Sequence, residues 1–177
     1  MAFVFDPDVS SPTFNAYCTV DFAKTYQDSK MNSSFLALPD ATIQRLLVWA
    51  TRQINTLQWK GTKTNIEQVH EFPRNYLWRD GNSYSTTETF LQSSMFDPTT
   101  IPLFVQEMCA DICGSLAIED ITEDTALTDF KRLKVDVIEV EAAEYSSTAW
   151  LPSSSRQLAW RYLLNSSKYT VRTQRVG

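Results

Sequence analysis

Cys109 and Cys113 stand four residues apart, a spacing that would let two thiols face one ion from a single helical turn. Zinc takes four ligands, or three and a water. His70 is the only histidine, and no residue near it completes a set, so the two thiols read as small buried residues on an apolar face. A Cys–His nucleophilic dyad would need His70 beside a thiol in an activating environment, and nothing in the spacing supplies one. Glu119, Asp120, Glu123 and Asp124 could pair for acid–base work, but a run of acids reads first as a solvated helix end. The four glycines, Gly61, Gly81, Gly114 and Gly177, are too scattered to cradle a phosphate. A P-loop, a nucleophile elbow and a zinc-protease helix are all absent from the sequence. The expectation is a chain that is not an enzyme and uses no metal and no cofactor.

Aromatic residues with cationic neighbours are the other chemistry-bearing pattern. Trp59, Tyr76, Trp78 and Tyr84 could stack on bases, and Arg74 and Arg79 flank Trp78. Phosphate binding, however, needs a basic face. The 177 residues carry a net charge of −5, and residues 145–177 hold five bases and no acid. That segment is +5, which leaves −10 on residues 1–144. An acidic body with a basic tail implies a division of labour between the two. The aromatic residues then read as core or subunit-interface groups.

The elements that must position these residues follow from periodicity. Residues 1–16 mix Phe, Pro, Asp and Ser without a period and read as an extended lead-in. Their composition, with neither a basic start nor a long apolar stretch, is that expected of a chain without a signal peptide. Thr19 predicts a cap for a helix from Val20 to about Ser29. Asp40 predicts the N-cap of a second helix, whose Ile43, Leu46, Leu47, Ala50, Ile54 and Leu57 share one face before Gly61 stops it. Residues 62–100 are polar and turn-rich, with a tight-turn signal at Asp80-Gly81 that could close a small hairpin. A third helix starts around Pro102 and runs to about Ile118, with Val105, Met108, Cys109, Ile112 and Leu116 on one face. The second and third helices should form the core pair. Leu133–Val137 alternates as a half-buried strand that continues through Glu141 with a change of parity, the mark of a bulge. Residues 146–155 read as a linker around an apolar plug, 157–164 as two helical turns, and Val171–Val176 as a strand without a partner in the body.

The fold class expected is mainly α: a small helical bundle with a minor β-strand or hairpin element and an extended C-terminal arm. Its parts are the lead-in (1–16), a helical body (17–144) and the basic arm (145–177). At 43% hydrophobic and 21% charged residues the composition is that of a globular domain, and no run reaches the ~20 apolar residues that span a bilayer. Three cysteines, at 18, 109 and 113, are too few and wrongly spaced for a disulfide framework and fit synthesis in a reducing cytoplasm. Fully extended, the arm could reach ~110 Å at ~3.3 Å per residue, against a body with a radius of gyration of ~16 Å.

Several segments in order resemble a known family. They are Tyr17-Cys18-Thr19-Val20-Asp21-Phe22-Ala23-Lys24-Thr25-Tyr26, then Ala50-Thr51-Arg52-Gln53-Ile54 and Trp59-Lys60-Gly61. Gln68 ahead of Phe72-Pro73-Arg74 follows, and Ile101-Pro102 opens the later helix. Together they resemble the head–tail connector (adaptor) proteins of tailed phages, including relatives labelled DnaT-like single-stranded-DNA-binding proteins. The likeness covers roughly residues 17–140; Phe22 departs from the alanine common there. Tyr17, Thr19, Tyr26, Ala50, Ile54, Trp59, Gly61, Phe72, Pro73, Arg74 and Pro102 are its structural positions.

The resemblance implies a small helical domain repeated in a homo-oligomeric ring, usually of twelve, below the portal protein in the virion neck. It implies a tail nozzle, terminator or neck protein on the far side, genome DNA passing through without sequence-specific binding, and no membrane partner. Such arms reach onto the portal, and the residues of this arm suited to that are Trp150, Leu151, Trp160, Arg161, Tyr162, Leu163, Tyr169, Val171, Arg172 and Arg175. In a ring, the acid excess could line a channel that repels DNA. A single-stranded-DNA-binding or replication-accessory protein is the alternative function, and a tail-completion or capsid-decoration protein a third.

Overall fold

In the computed structural model the residues described are 3–79, 94–118, 132–135, 138–141 and 150–164, with only the backbone described for the last-but-one pair of short segments. The chain runs through α1 (Val20–Ser29), α2 (Ser33–Leu36), α3 (Asp40–Ile54), β1 (Thr62–Lys63), β2 (Arg74–Asn75), α4 (Leu103–Leu116), β3 (Arg132–Val135), β4 (Ile138–Glu141) and α5 (Ser153–Ala159). A 3-10 turn, Trp160–Tyr162, closes it. The architecture is mainly helical with small two-stranded antiparallel sheets.

Thr19 opens α1 as its spacing predicts, its hydroxyl accepting from the Phe22 N–H at 3.1 Å. Asp40 does not cap α3. Pro39, extended at φ −61° and ψ 143°, holds the cap position, and Asp40 is the first helical residue. There its carboxylate meets the positive end of the helix dipole and pairs with Lys24 of α1 at 2.6 Å. Pro102 likewise caps α4 from outside rather than starting it.

The apolar face expected on α3 is the buried one, with Ile43, Leu47, Ala50 and Ile54 wholly enclosed. α4 exceeds expectation. Phe104, Ala110, Asp111 and Gly114 are buried along with the predicted Val105, Met108, Cys109, Ile112, Cys113 and Leu116, so the helix is covered nearly all round. α1, α3 and α5 do the covering. Close approach of α1 depends on Gly114: a Cβ there would come within 2.2 Å of Gln27 Nε2. Gln27, itself buried, donates to the Ala110 carbonyl at 2.6 Å and accepts from Asn32 at 3.0 Å.

The strand expected across residues 133–141 is instead a hairpin, β3 and β4 paired from Arg132↔Glu141 to Val135↔Ile138. The change of parity that suggested a bulge is the reversal of the chain between two strands. The Asp80-Gly81 turn lies outside the described residues, as do the acids at 119–124. The ends flanking 80–93 do meet, through Arg79 N–H to Ser94 at 2.9 Å and Phe96 N–H to Leu77 at 2.9 Å.

The described part of the expected arm is docked on the body. α5 begins at Ser153, earlier than the two turns predicted for 157–164, because Pro152 takes the cap position. Leu151, Ser155, Ala159, Tyr162 and Leu163 are buried. Asp111 anchors this segment: it accepts from the hydroxyls of Ser154 and Ser155 and pairs with the ammonium of Lys30. Its side chain is 5% exposed and that of Lys30 36%. Burying the carboxylate without those three donors would be unfavourable.

Two substitutions test this packing. Asp111→Ala strands two seryl hydroxyls and is expected to cost about 2 kcal/mol, read as a lower urea midpoint with an unchanged slope. Gly114→Ala gains about 1 kcal/mol of helix propensity but evicts Gln27 from its buried hydrogen bonds. A net loss of stability is expected; a net gain would show that α1 moves aside freely.

Candidate functional site

The turn-rich stretch after α3 has little regular structure, so its backbone groups must find other partners. Arg74 supplies them. Its Nε donates to the Lys60 carbonyl at 2.9 Å, its Nη2 to those of Trp59 and Gly61 at 3.2 and 2.8 Å, and its Nη1 to the carbonyl and carboxylate of Glu71 at 3.2 and 2.5 Å. All five N–H groups of the guanidinium are engaged. Glu71 also pairs with Lys63 at 3.0 Å. Gly61 is required where the strands close: at φ +75° an added Cβ would stand 2.4 Å from the Asn75 carbonyl oxygen. Gln68 fastens the same turn, donating to the carbonyls of His70 and Pro73 at 2.8 and 3.0 Å. The Phe72–Pro73 peptide is cis.

Tyr17 ties the N-terminal segment to this knot. Its hydroxyl donates to Asn55 Oδ1 and accepts the backbone N–H of Glu71 and Phe72 at 3.0 and 3.1 Å. Burial pushes its pKa far above the usual phenol range. With Asn55 Oδ1 thus accepting, Asn55 Nδ2 donates to His70 Nδ1 at 2.8 Å, and His70 Nε2 donates to the Phe14 carbonyl at 2.8 Å. Both ring nitrogens are therefore occupied in the neutral tautomer. Burial lowers the His70 pKa, and a proton on Nδ1 would face the Asn55 donor. The aromatic groups continue as a chain of contacts from Phe14 through Tyr17 and Phe72 to Trp59 and Phe104. Tyr162 stacks on Phe104 at 4.2 Å.

Beside the knot lies a groove of about 660 Å³, walled by Val9–Pro12 and Phe14 on one side and Thr64, Asn65, Gln68, Val69 and His70 on the other, with Pro98 and Thr99 at one end. Glu67 lines it. Three further carboxylates reach lining residues: Asp6 accepts from Ser11, Asp8 from Ser10 at 2.7 Å, and Asp97 from Thr99 at 2.6 Å. Those hydrogen bonds hold all three below the usual carboxylate range. Val69, which lines it, is 84% exposed, and Ile66 on the same turn is 98% exposed. The lead-in is thus not a bare extended segment: Asp6 gathers Ser11 and Thr13, and Asn15 holds Asp6 and Val4.

The positions carried by the resemblance have structural roles here. Tyr17, Ala50, Ile54, Trp59, Phe72, Pro102 and Arg74 are buried, Thr19 is the α1 cap, Tyr26 is half-buried against the core, and Gly61 and Pro73 shape the turn. The residues expected to bind a portal divide. Leu151, Tyr162 and Leu163 are in this chain's own core, with the Tyr162 hydroxyl on the Arg79 carbonyl at 2.7 Å and Leu163 bridged to Trp59. Trp150 is half-buried; Trp160 and Arg161 are exposed, the guanidinium 5.8 Å from the indole. Tyr169, Val171, Arg172 and Arg175 lie outside the described residues. The sequence signalled neither the Arg74 fork nor the Asp111 anchor, because a lone arginine in a polar turn and a lone aspartate in a helix both read as surface.

Cys18, Cys109 and Cys113 are free and buried, and His70 pairs with Asn55 and Phe14 rather than with a thiol. Among the described residues no three metal-ligating side chains cluster, and no helix is long and apolar enough to cross a membrane.

A family model described as "Putative DnaT-like ssDNA binding protein" matches residues 1–176 of the chain. No curated protein and no solved structure matches it.

The knot yields two expectations. Arg74→Ala leaves five acceptors without a donor and should cost roughly 3–5 kcal/mol, whereas Tyr17→Phe, which orphans a buried backbone N–H, should cost roughly 1–2 kcal/mol; chemical denaturation measures both. For His70 the folded pKa lies below the ordinary 6.5, so the unfolded chain binds the proton first. Its contribution is present above about pH 6.5 and lost as pH falls through the folded pKa. Melting temperature should drop between pH 7.5 and 5, with a shallower drop in His70→Gln.

Proposed function

We propose that this chain, which belongs to the family of DnaT-like ssDNA binding proteins, is a structural assembly protein: a head-to-tail adaptor of a tailed phage, repeated in a ring below the portal and lining the path of the exiting genome. The observation that supports this reading is a closed core beneath a surface that leaves large apolar side chains in water. Ile66 and Val69 stand on one turn, and Trp160 and Leu164 on another. Apolar side chains grouped in this way are the material of protein–protein contacts. The described residues bring together no nucleophile, base and oxyanion donors for chemistry to use. Attachment to the portal would fall to Trp160, Arg161 and the segment beyond residue 164, since Leu151, Tyr162 and Leu163 are spent on this chain's own core.

Binding of single-stranded DNA is the second reading, favoured by the description of the family itself. Exposed Tyr76, and Trp160 with Arg161 over its ring, could stack bases. Against it, Lys24, Lys30, Lys63 and Arg74 are paired with carboxylates, and Arg79 lies over Phe96 and donates to the Met95 carbonyl at 3.1 Å. Cations so engaged make a poor phosphate track.

The experiment mixes the full chain with portal rings of its own phage for electron microscopy, and in parallel with a labelled oligonucleotide at low salt. Added density closing the lower face of the portal is expected, with no oligonucleotide shift. Absence of that density, together with micromolar, salt-sensitive DNA binding that Trp160→Ala weakens severalfold, would replace the adaptor by the second reading.

A further inference from the structure

We propose that the groove between the N-terminal segment and the 64–73 turn is the seat of this protein's own C-terminal segment, residues 165–177. The site is built on both sides. Phe14, Phe72, Pro73, Val69 and Val9 give it an apolar floor and walls, and the hydrogen-bonded chain of Tyr17, Asn55 and His70 fixes one wall against collapse. Around the apolar interior stand Glu67, Asp6, Asp8 and Asp97, each lining the groove or hydrogen-bonded to a residue that does. Of the basic groups near it, Lys63 is paired with Glu71, burial lowers the His70 pKa, and Arg52 lies within electrostatic reach of His70.

A ligand that fits this groove is an extended peptide with apolar side chains on one side and cations at its edges. Residues 165–177 have that composition, with Lys168, Arg172 and Arg175, no acid, and Tyr169, Val171 and Val176 between them. In an extended chain side chains alternate, so over residues 168–173 Tyr169, Val171 and Thr173 fall on one face and Lys168, Thr170 and Arg172 on the other, while beyond them Arg175 falls with the first set and Val176 with the second. Tyr169, Val171 and Thr173 would enter the groove, and Lys168, Thr170 and Arg172 would meet the acidic rim. The described chain ends at Leu164, whose N–H donates to the Gln58 carbonyl at 3.0 Å, on the strand of chain that leads into the 62–75 turns. Thirteen further residues can span ~43 Å at ~3.3 Å each, longer than the radius of the body. The contact can thus be made within one copy or between two. It goes beyond the adaptor reading, in which the same segment would have to leave the groove to reach a portal; the contact itself needs no portal.

The test uses a fluorescent synthetic peptide of residues 165–177 and the full chain carrying Lys168→Glu, Arg172→Glu and Arg175→Glu, so that the attached segment does not compete. Fluorescence anisotropy at low salt is expected to show micromolar binding, at least fivefold weaker for a scrambled peptide of the same composition. Glu67→Lys and, separately, Val69→Asp should each weaken it at least fivefold. Both side chains are exposed, so neither change should lower the melting temperature. No binding, equal binding of the scrambled peptide, or binding indifferent to both groove variants would overturn the proposal.

Discussion

A carboxylate in the middle of the central helix organises much of this molecule. Asp111 sits on α4 with its side chain almost out of water, and a charge so placed must be met by donors from whatever packs against it. Lys30 arrives from the end of α1, and Ser154 and Ser155 from the first turn of α5. One residue therefore fixes where two neighbouring helices can lie. The consequence reaches the C-terminal third: once α5 is pinned by its first turn, Ala159, Tyr162 and Leu163 fall onto the aromatic groups around Trp59 and Phe104.

The turn-rich half is organised by a different economy. Few of its backbone groups can pair in β1 and β2, which offer two residues each. A planar cation with five donors satisfies four carbonyls from two separated places in the chain, 59–61 and 71, and a single tyrosyl hydroxyl satisfies two amides at the second of them, 71 and 72. Lysine could not do this, because its three donors radiate from one point. The knot holds that wall of the groove in place, so an irregular segment can keep Ile66 outward and Val69 at the groove without folding either into the core.

What was legible in the sequence was periodicity. The Thr19 cap, the α3 face from Ile43 to Leu57 and the apolar positions of α4 declared themselves at helical spacing, and the mainly helical class followed. What was illegible depended on distant partners. Leu151, Ser155, Ala159, Tyr162 and Leu163 do repeat at helical spacing, but Ser155 stands where an apolar residue would be expected, and the surrounding serines read as a linker. Only the presence of Asp111 makes Ser155 a buried residue. The parity change at 137–138 was equally ambiguous, since a bulge and a reversal both shift a period of two by one. For the site, the resemblance marked Tyr17, Gly61, Phe72 and Arg74 by position, but their task, bracing one groove wall, exists only in three dimensions.

Charge is where the structure alters the argument most. The sequence set an acidic body of −10 against a basic arm of +5. Residues 3–79 and 94–118 hold ten acids and eight bases, a charge of −2, and −8 belongs to residues 80–93 and 119–144. Two of the five C-terminal cations, Arg156 and Arg161, belong to the docked segment, leaving +3 on residues 165–177. Most of the acid excess thus belongs to those two segments rather than to the described helices. The local acidity of the groove is a separate matter: it arises from four carboxylates gathered by short turns, and its reach is about one Debye length, ~8 Å at physiological salt. Over that distance a +3 segment is attracted to the groove even though residues 3–79 and 94–118 together are close to neutral, which is why a weak global asymmetry can still give a specific local contact.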